Sequence, residues 1–143
     1  MKHENENPKA VARSLICEDQ RLAHVEKLFG FHFPLQLEPF IYGITDRMAE
    51  AYSGGYWQFY TLDNGGFYAA PASDQVYKVS CDNYFTGELS ADALGITACL
   101  YAYSLCSFSK DKVFGRMCAD HYHRLRAYMF GHDEAASILR AID

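Results

Sequence analysis

Gly54-Gly55-Tyr56-Trp57-Gln58-Phe59-Tyr60-Thr61-Leu62-Asp63-Asn64-Gly65-Gly66-Phe67-Tyr68-Ala69-Ala70-Pro71 is the stretch whose reading decides the fold. It holds four of the ten glycines, the only tryptophan and five of the 11 tyrosines and 10 phenylalanines. Tyr56 to Leu62 is aromatic-rich, which suits a pleated, half-buried surface. Asp63-Asn64-Gly65-Gly66 accepts the positive φ of a tight hairpin turn, and Phe67 to Ala70 returns as the second strand. Pro71 ends the pairing because it has no N–H to give a ladder. Side chains alternate between faces. Trp57, Phe59 and Thr61 therefore share the face expected to meet the core, and Tyr56, Gln58, Tyr60 and Leu62 share the other.

Outward from the hairpin the elements follow in order. On the N-terminal side, Pro39 suits the first turn of a helix, and Ile41, Ile44, Met48 and Ala51 or Tyr52 recur at helical spacing until Gly54-Gly55 stops it. Phe31 to Leu37 reads as a connection, with Pro34 blocking a continuous helix. An earlier helix starts at Glu18-Asp19, turns Leu22, Val25, Leu28 and Phe29 to one face, and ends at Gly30. Ala10 to Ile16 fits a strand or a helix start equally. Residues 1–17 read as a polar, mobile N-terminal segment and 18–143 as a single domain.

On the C-terminal side, Val76 to Cys81 alternates as a third strand, and Tyr84-Phe85 adds a short piece after the Asp82-Asn83 turn. Short links make an antiparallel meander the expected pairing. Ser90 is placed to N-cap a helix from Ala91 to about Phe108 that is apolar nearly all round and so belongs in a core. Lys110-Asp111-Lys112 reads as a solvated break. Phe114, Cys118, Tyr122, Leu125 and Met129 trace a further amphipathic helix, and Asp133 is placed to cap a last one, Glu134 to Ile142. The expected fold is α+β: a small antiparallel β-sheet, a meander around the central hairpin, packed with four to five α-helices.

The hairpin pattern G-G-Y-W-x-F-Y-x-L-x-N-G-G-F-Y-x-x-P also resembles the signature of the ArdB/KlcA antirestriction proteins. Supporting matches are Phe29-Gly30, Leu37-Glu38, Ile41-Tyr42, Leu89-Ser90-Ala91-Asp92-Ala93, Gly95-Ile96-Thr97, His121-Tyr122-His123, Leu125-Arg126 and the terminal Ala141-Ile142-Asp143. They run in order over residues 18 to 143. The resemblance implies a small protein of plasmids and other mobile elements that counters type I restriction–modification enzymes, distinct from the strongly acidic DNA mimics. The implied partner is the type I enzyme or a host factor linked to it.

Composition excludes competitors. Lys plus Arg is 13 and Asp plus Glu is 18, a formal charge of −5. That balance argues against strong nucleic-acid binding, and it is too dilute for mimicry of duplex DNA, which carries a charge about every 1.7 Å. Residues 48 to 77 contain no Lys or Arg, so the aromatic hairpin is not a base-stacking platform. Five cysteines without C-x-x-C spacing fit reduced, mostly buried thiols in a cytoplasmic protein, and no secretory or membrane-spanning stretch is expected.

Catalytic chemistry is sparse. His121 and His123 are two apart, so on a helix they diverge and cannot chelate one ion. Cys99 and Cys106 share a face of the buried helix, where inert thiols are the common case. Neither glycine pair fits a phosphate loop, and no nucleophile elbow occurs. The protein is therefore read as no enzyme, with no metal and no cofactor. The alternative is a small ligand-binding or enzymatic domain using Asp120, His121, His123 and His132. Interaction candidates are Asp143, with its side-chain and terminal carboxylates together, and Asp63 and Asn64 at the hairpin tip.

Overall fold

A computed structural model describes residues 10–143; the expectation for residues 1–9 lies outside them. The hairpin forms as β2 (Trp57–Leu62) and β3 (Phe67–Pro71), antiparallel from Trp57 opposite Pro71 to Thr61 opposite Phe67. Leu62 N donates to Gly66 O at 2.9 Å across the turn, where Gly65 sits at φ +91°. The open segment 10–16 resolves as a strand: β1 (Arg13–Leu15) pairs with β2, Arg13 opposite Leu62. The folded unit thus begins before residue 18. Trp57 and Phe59 are buried as expected, but Tyr60 and Leu62 on the other face are buried too.

A three-stranded antiparallel sheet does form around the hairpin, but its third strand is β1 and not Val76 to Cys81. β4 (Val76–Ser80) pairs with β5 (Thr86–Ser90) in a separate two-stranded sheet, Val76 opposite Ser90. Tyr77 and Val79 face inward, so the alternation was correct and the partner was not. The reason is that the outer edge of β3 is already covered by α3 (Ala91–Cys106). Tyr103 Oη donates to Phe67 O at 2.8 Å, and the Cys99 thiol lies 3.6 Å from Ala69 O. These contacts blunt an edge that would otherwise pair. Only glycine allows that approach, since a Cβ on Gly95 would stand 2.4 Å from Ala69 O. Tyr84-Phe85 is a turn, with Tyr84 at φ +71°.

Around this frame, a 3-10 turn (Glu18–Gln20) leads into α1 (Arg21–Phe29), which buries Val25 and Phe29. Leu22, expected inward, is 83% exposed and borders an open cavity. Phe31 to Leu37 is more than a connection: Phe33–Leu37 is a π-helical turn that runs directly into α2 (Glu38–Met48). Pro34 is tolerated because it stands in the first turn, where an N–H would have no partner. Ile41, Ile44 and Met48 point inward; Ala51 lies beyond the helix and is exposed.

α3 is the axis of the molecule. Ser90 Oγ caps it by accepting from Ala93 N at 3.1 Å, and 11 of its 16 residues are buried, so it packs on every side. Among the described residues no helix is long and apolar enough to cross a membrane. α4 (Lys112–Met129) starts within the expected solvated break, because the Asp111 carboxylate accepts from Val113 N and Phe114 N at 3.1 Å each. α5 (Ala135–Ile142) is not capped by Asp133. Glu134 holds the cap position, and its carboxylate is used elsewhere. The described residues form an α+β fold of five α-helices and two small antiparallel sheets. Its centre is aromatic: Phe29, Phe33, Phe59 and Phe67 pack with ring centroids 5.4–5.7 Å apart.

Candidate functional site

The densest polar arrangement lies on the second face of the hairpin. Asp92 stands in the first turn of α3, where the helix dipole favours a carboxylate. Its Oδ1 accepts from Arg13 Nη1 of β1 and from Tyr68 Oη of β3, both at 2.8 Å. Its Oδ2 lies 2.8 Å from Nε2 of His132, in the connection between α4 and α5. Arg13 Nη1 also donates to Tyr68 Oη at 2.6 Å, and its guanidinium lies 4.3 Å from the Tyr60 ring centroid. Tyr60 stacks on Tyr68, and Tyr68 on Tyr128. Glu134 N donates to His132 Nδ1 at 3.0 Å, which leaves the ring proton on Nε2, facing Asp92. The Glu134 carboxylate accepts from Ser90 N at 3.0 Å and Ser90 Oγ at 2.5 Å, so the α5 start is tied to the α3 cap.

Charge follows from this geometry. Burial opposes ionisation of Asp92, but the bonds from His132 and Tyr68 and the charge of Arg13 outweigh it and hold the carboxyl below its usual range. Burial, with Asp92 beside it, pushes the Tyr68 hydroxyl up. Asp92 raises the His132 pKa, while the Glu134 N–H pointing at Nδ1 opposes a second proton. A carboxylate held ionised and a phenol held neutral form a clamp across β1, β3, α3 and the α4–α5 connection. They are poorly set to move protons near neutral pH. Beside the clamp is a polar cavity of about 390 Å³ bounded by Arg13, Gln58, Tyr60, Ser73, Asp74 and Asp92.

The residues singled out in the sequence lie elsewhere. Asp63 is exposed, and its Oδ1 accepts from Ala12 N at 3.0 Å while its own N donates to Ala12 O at 2.9 Å. Asn64 Oδ1 accepts from Gly66 N at 3.0 Å, and its Nδ2 donates to Arg124 O of α4 at 2.9 Å. Both therefore brace the hairpin tip. Asp143 is exposed at the end of α5, beside a depression of about 410 Å³ bordered by Asn83, Tyr84, Phe85, Leu139 and Arg140. Asn83 Nδ2 donates to Arg140 O and Ala141 O at 3.0 and 3.1 Å, and Tyr101 Oη to Ala141 O at 2.5 Å. Those bonds anchor the helix end that presents Asp143, and the structure does not bring it together with Asp63 and Asn64.

The proposed cluster of Asp120, His121, His123 and His132 is dispersed. His121 is 2% exposed and packs between Phe29 and Tyr103, with ring centroids 4.6 and 5.5 Å away. Its Nδ1 has no partner, and burial pushes its pKa down to about 4. Asp120 and His123 are exposed, and His132 belongs to the Asp92 clamp. Successive helical side chains diverge by about 100°, which is why neighbours in sequence separate here. Among the described residues no group of three or more His, Cys, Asp or Glu is placed to hold a metal. Conversely, the clamp was not legible: Arg13 and Tyr68 lie 79 and 24 residues from Asp92, a spacing that carries no local signal.

Comparison with known proteins gives the relationship. The family model for the antirestriction protein matches residues 50–143. KlcA, an antirestriction protein of Escherichia coli, is 41% identical over 144 residues, covering 97% of this chain and 99% of the relative. YafX of Escherichia coli (strain K12) is 41% identical over 135 residues, covering 90% of this chain and 85% of the relative. A solved structure aligns with a TM-score of 0.86 at 40% identity, covering 96% of this chain and 99% of the other. It comes from work on KlcA and ArdB that reports a novel fold and antirestriction activity against type I DNA restriction systems in vivo but not in vitro. The match in sequence and in fold extends over nearly the whole of both chains, and this protein therefore belongs to the ArdB/KlcA antirestriction family.

Proposed function

We propose that the protein blocks DNA cleavage by type I restriction–modification enzymes in the cell, as a non-enzymatic binding protein of the cytoplasm that does not mimic DNA and serves a mobile element. The near full-length likeness to KlcA carries this reading. The use of its acids supports the rejection of mimicry. Asp92, Glu134, Asp63 and Asp111 accept hydrogen bonds from within the fold, and Glu38 accepts from Tyr42 Oη at 2.8 Å. A DNA mimic needs its carboxylates free and regularly spaced at the surface, as phosphates are. The partner is the restriction enzyme or a host factor linked to it; a relative active in vivo but not in vitro fits the need for a cellular component.

Asp143 is the first interaction candidate, because it is exposed on a helix end that is itself held rigid. Asp63 and Asn64 are secondary, since the fold already uses both. The test is plating of unmodified phage on cells with an active type I system, with and without the protein. Restored plating with DNA methylation unchanged is expected. Unchanged restriction with soluble protein present would overturn the reading. Asp143→Asn is expected to lower the protection while shifting stability by less than about 0.5 kcal/mol, the usual range for a surface change.

A further inference from the structure

Leu22 is the outlier of α1. It is 83% exposed at the edge of an open cleft of about 350 Å³. Phe33, Pro34 and Phe59 make the cleft apolar, and Glu18, Arg21 and Glu38 bring charge to it. Phe33 and Pro34 belong to the π-helical turn before α2, a geometry that recurs at functional sites. Arg21 is held in place. Its guanidinium lies 3.7 Å from the Phe59 ring centroid and 5.1 Å from that of Tyr56, and Nη1 donates to Tyr56 Oη at 2.7 Å. Tyr56 itself is exposed. A stacked arginine and an exposed tyrosine beside an apolar cleft are the composition of a protein interface.

The charge at the rim selects the kind of partner. Glu18 and Glu38 line the cleft, and among the described residues neither forms an ion pair. Asp19 stands next to Glu18 and is exposed. Arg21 is the one base there, and it rests on two ring faces. The whole chain carries a formal charge of −5, so long-range steering has the same sign as the rim. An anionic membrane and a nucleic acid are both repelled by that balance. We propose that the cleft is a docking site for a basic segment of a protein partner. One apolar side chain of that segment seats against Leu22, Phe33 and Phe59, and a flanking lysine or arginine meets Glu18 and Glu38.

The site is set before a partner arrives. Phe33 packs edge-on against Phe59 with ring centroids 5.6 Å apart, and Tyr42 Oη donates to Glu38 Oε2 at 2.8 Å. That bond fixes the carboxylate and leaves Oε1 to accept from an incoming ammonium or guanidinium. A preformed site loses little ordering entropy on binding. An open cleft of this size receives one large side chain and leaves the flanking backbone in solvent. A small-molecule site instead encloses most of its ligand, which favours a protein segment over a free organic cation.

The test titrates the purified, isotope-labelled full chain with an amphipathic lysine–leucine peptide and follows the amide chemical shifts. The expected result is saturable shifts centred on residues 18–25, 33–38 and Phe59. A glutamate–leucine twin of the peptide and butylammonium are expected to leave those amides unmoved. Leu22→Ala, and separately Glu18→Gln with Glu38→Gln, should each weaken the peptide about tenfold. Leu22 and Glu18 are exposed, and glutamine at 38 keeps an acceptor for Tyr42, so the fold is retained. No saturable binding, shifts centred elsewhere, equal binding of the twin, equal response to butylammonium, or unchanged affinity in both variants would overturn the assignment. The wild-type map decides the place without relying on either variant's fold. Binding is read on purified protein, so its failure leaves the antirestriction reading standing, and a failure of plating leaves the cleft standing.

Discussion

The two faces of the β2–β3 hairpin solve one packing problem in opposite ways. Under Phe59 and Phe67 the space is filled by Phe29, Phe33 and Tyr103, whose hydroxyl is spent on Phe67 O, and His121 there has an unpartnered nitrogen. Under Tyr60 and Tyr68 the space is filled by an ion-paired clamp in which every named polar atom of Asp92 has a donor. The dry face gains from buried area and ring geometry. The wet face gains from directional bonds between segments far apart in sequence. Stability should therefore concentrate on the first face, and the joining of distant segments on the second.

The largest effect is expected from Phe67→Ala on the dry face. Phe67 is fully buried against three other rings, so truncation should cost about 4 kcal/mol through lost transfer energy and a cavity, read as a lower urea midpoint. A cost near that of a surface change would break the comparison.

Next comes His121. Its folded pKa, near 4, lies below the unfolded value of about 6.5. The unfolded chain therefore takes up the proton first as pH falls. The contribution is complete above about pH 6.5 and is lost progressively toward pH 4, about 3 kcal/mol in all. Thermal melts of His121→Leu should lack that acid-side loss. An unchanged pH profile would show that the ring is not held neutral by burial.

Third is the wet face. Asp92→Asn should cost about 2 kcal/mol, since it weakens charge-assisted bonds to Arg13 and His132. The Asp92 contribution is present above about pH 4 and lost as pH falls below it. The His132 contribution has the opposite sign: its raised pKa makes it complete below about pH 6.5 and lost as pH rises. Comparing melts of wild type and His132→Gln from pH 6 to 9 checks that slope. A parallel pair of curves would remove histidine charge from the clamp.

The smallest is Asp63→Ala. It removes the acceptor for Ala12 N and should cost about 1 kcal/mol, with amide exchange accelerated in β1 alone. Uniform acceleration across the sheet would mean that β1 is not a separable strap.

Local chemistry made much of this fold legible. The Asp63-Asn64-Gly65-Gly66 turn, Ser90 as a cap and the burial of residues 91 to 106 all depend on residues within a few positions of each other. β4 shows where that reach ends. Its alternation marked Tyr77 and Val79 as inward, but a period of two names a face and not a neighbour, and α3 had taken the edge of β3. The Asp133 cap failed for a related reason: Glu134 stands at the cap and is drawn to Ser90, 44 residues away.

The sequence alone determined the family, the hairpin, the central apolar helix and a formal charge of −5, because each rests on residue type, short-range order or a plain sum. Only the tertiary structure decided that β1 joins the sheet, that β4 pairs with β5, that the histidines part company, and that Arg13, Tyr68, Asp92 and His132 meet. Those outcomes depend on which distant segments share space, and that is set by the packing of the whole chain around α3.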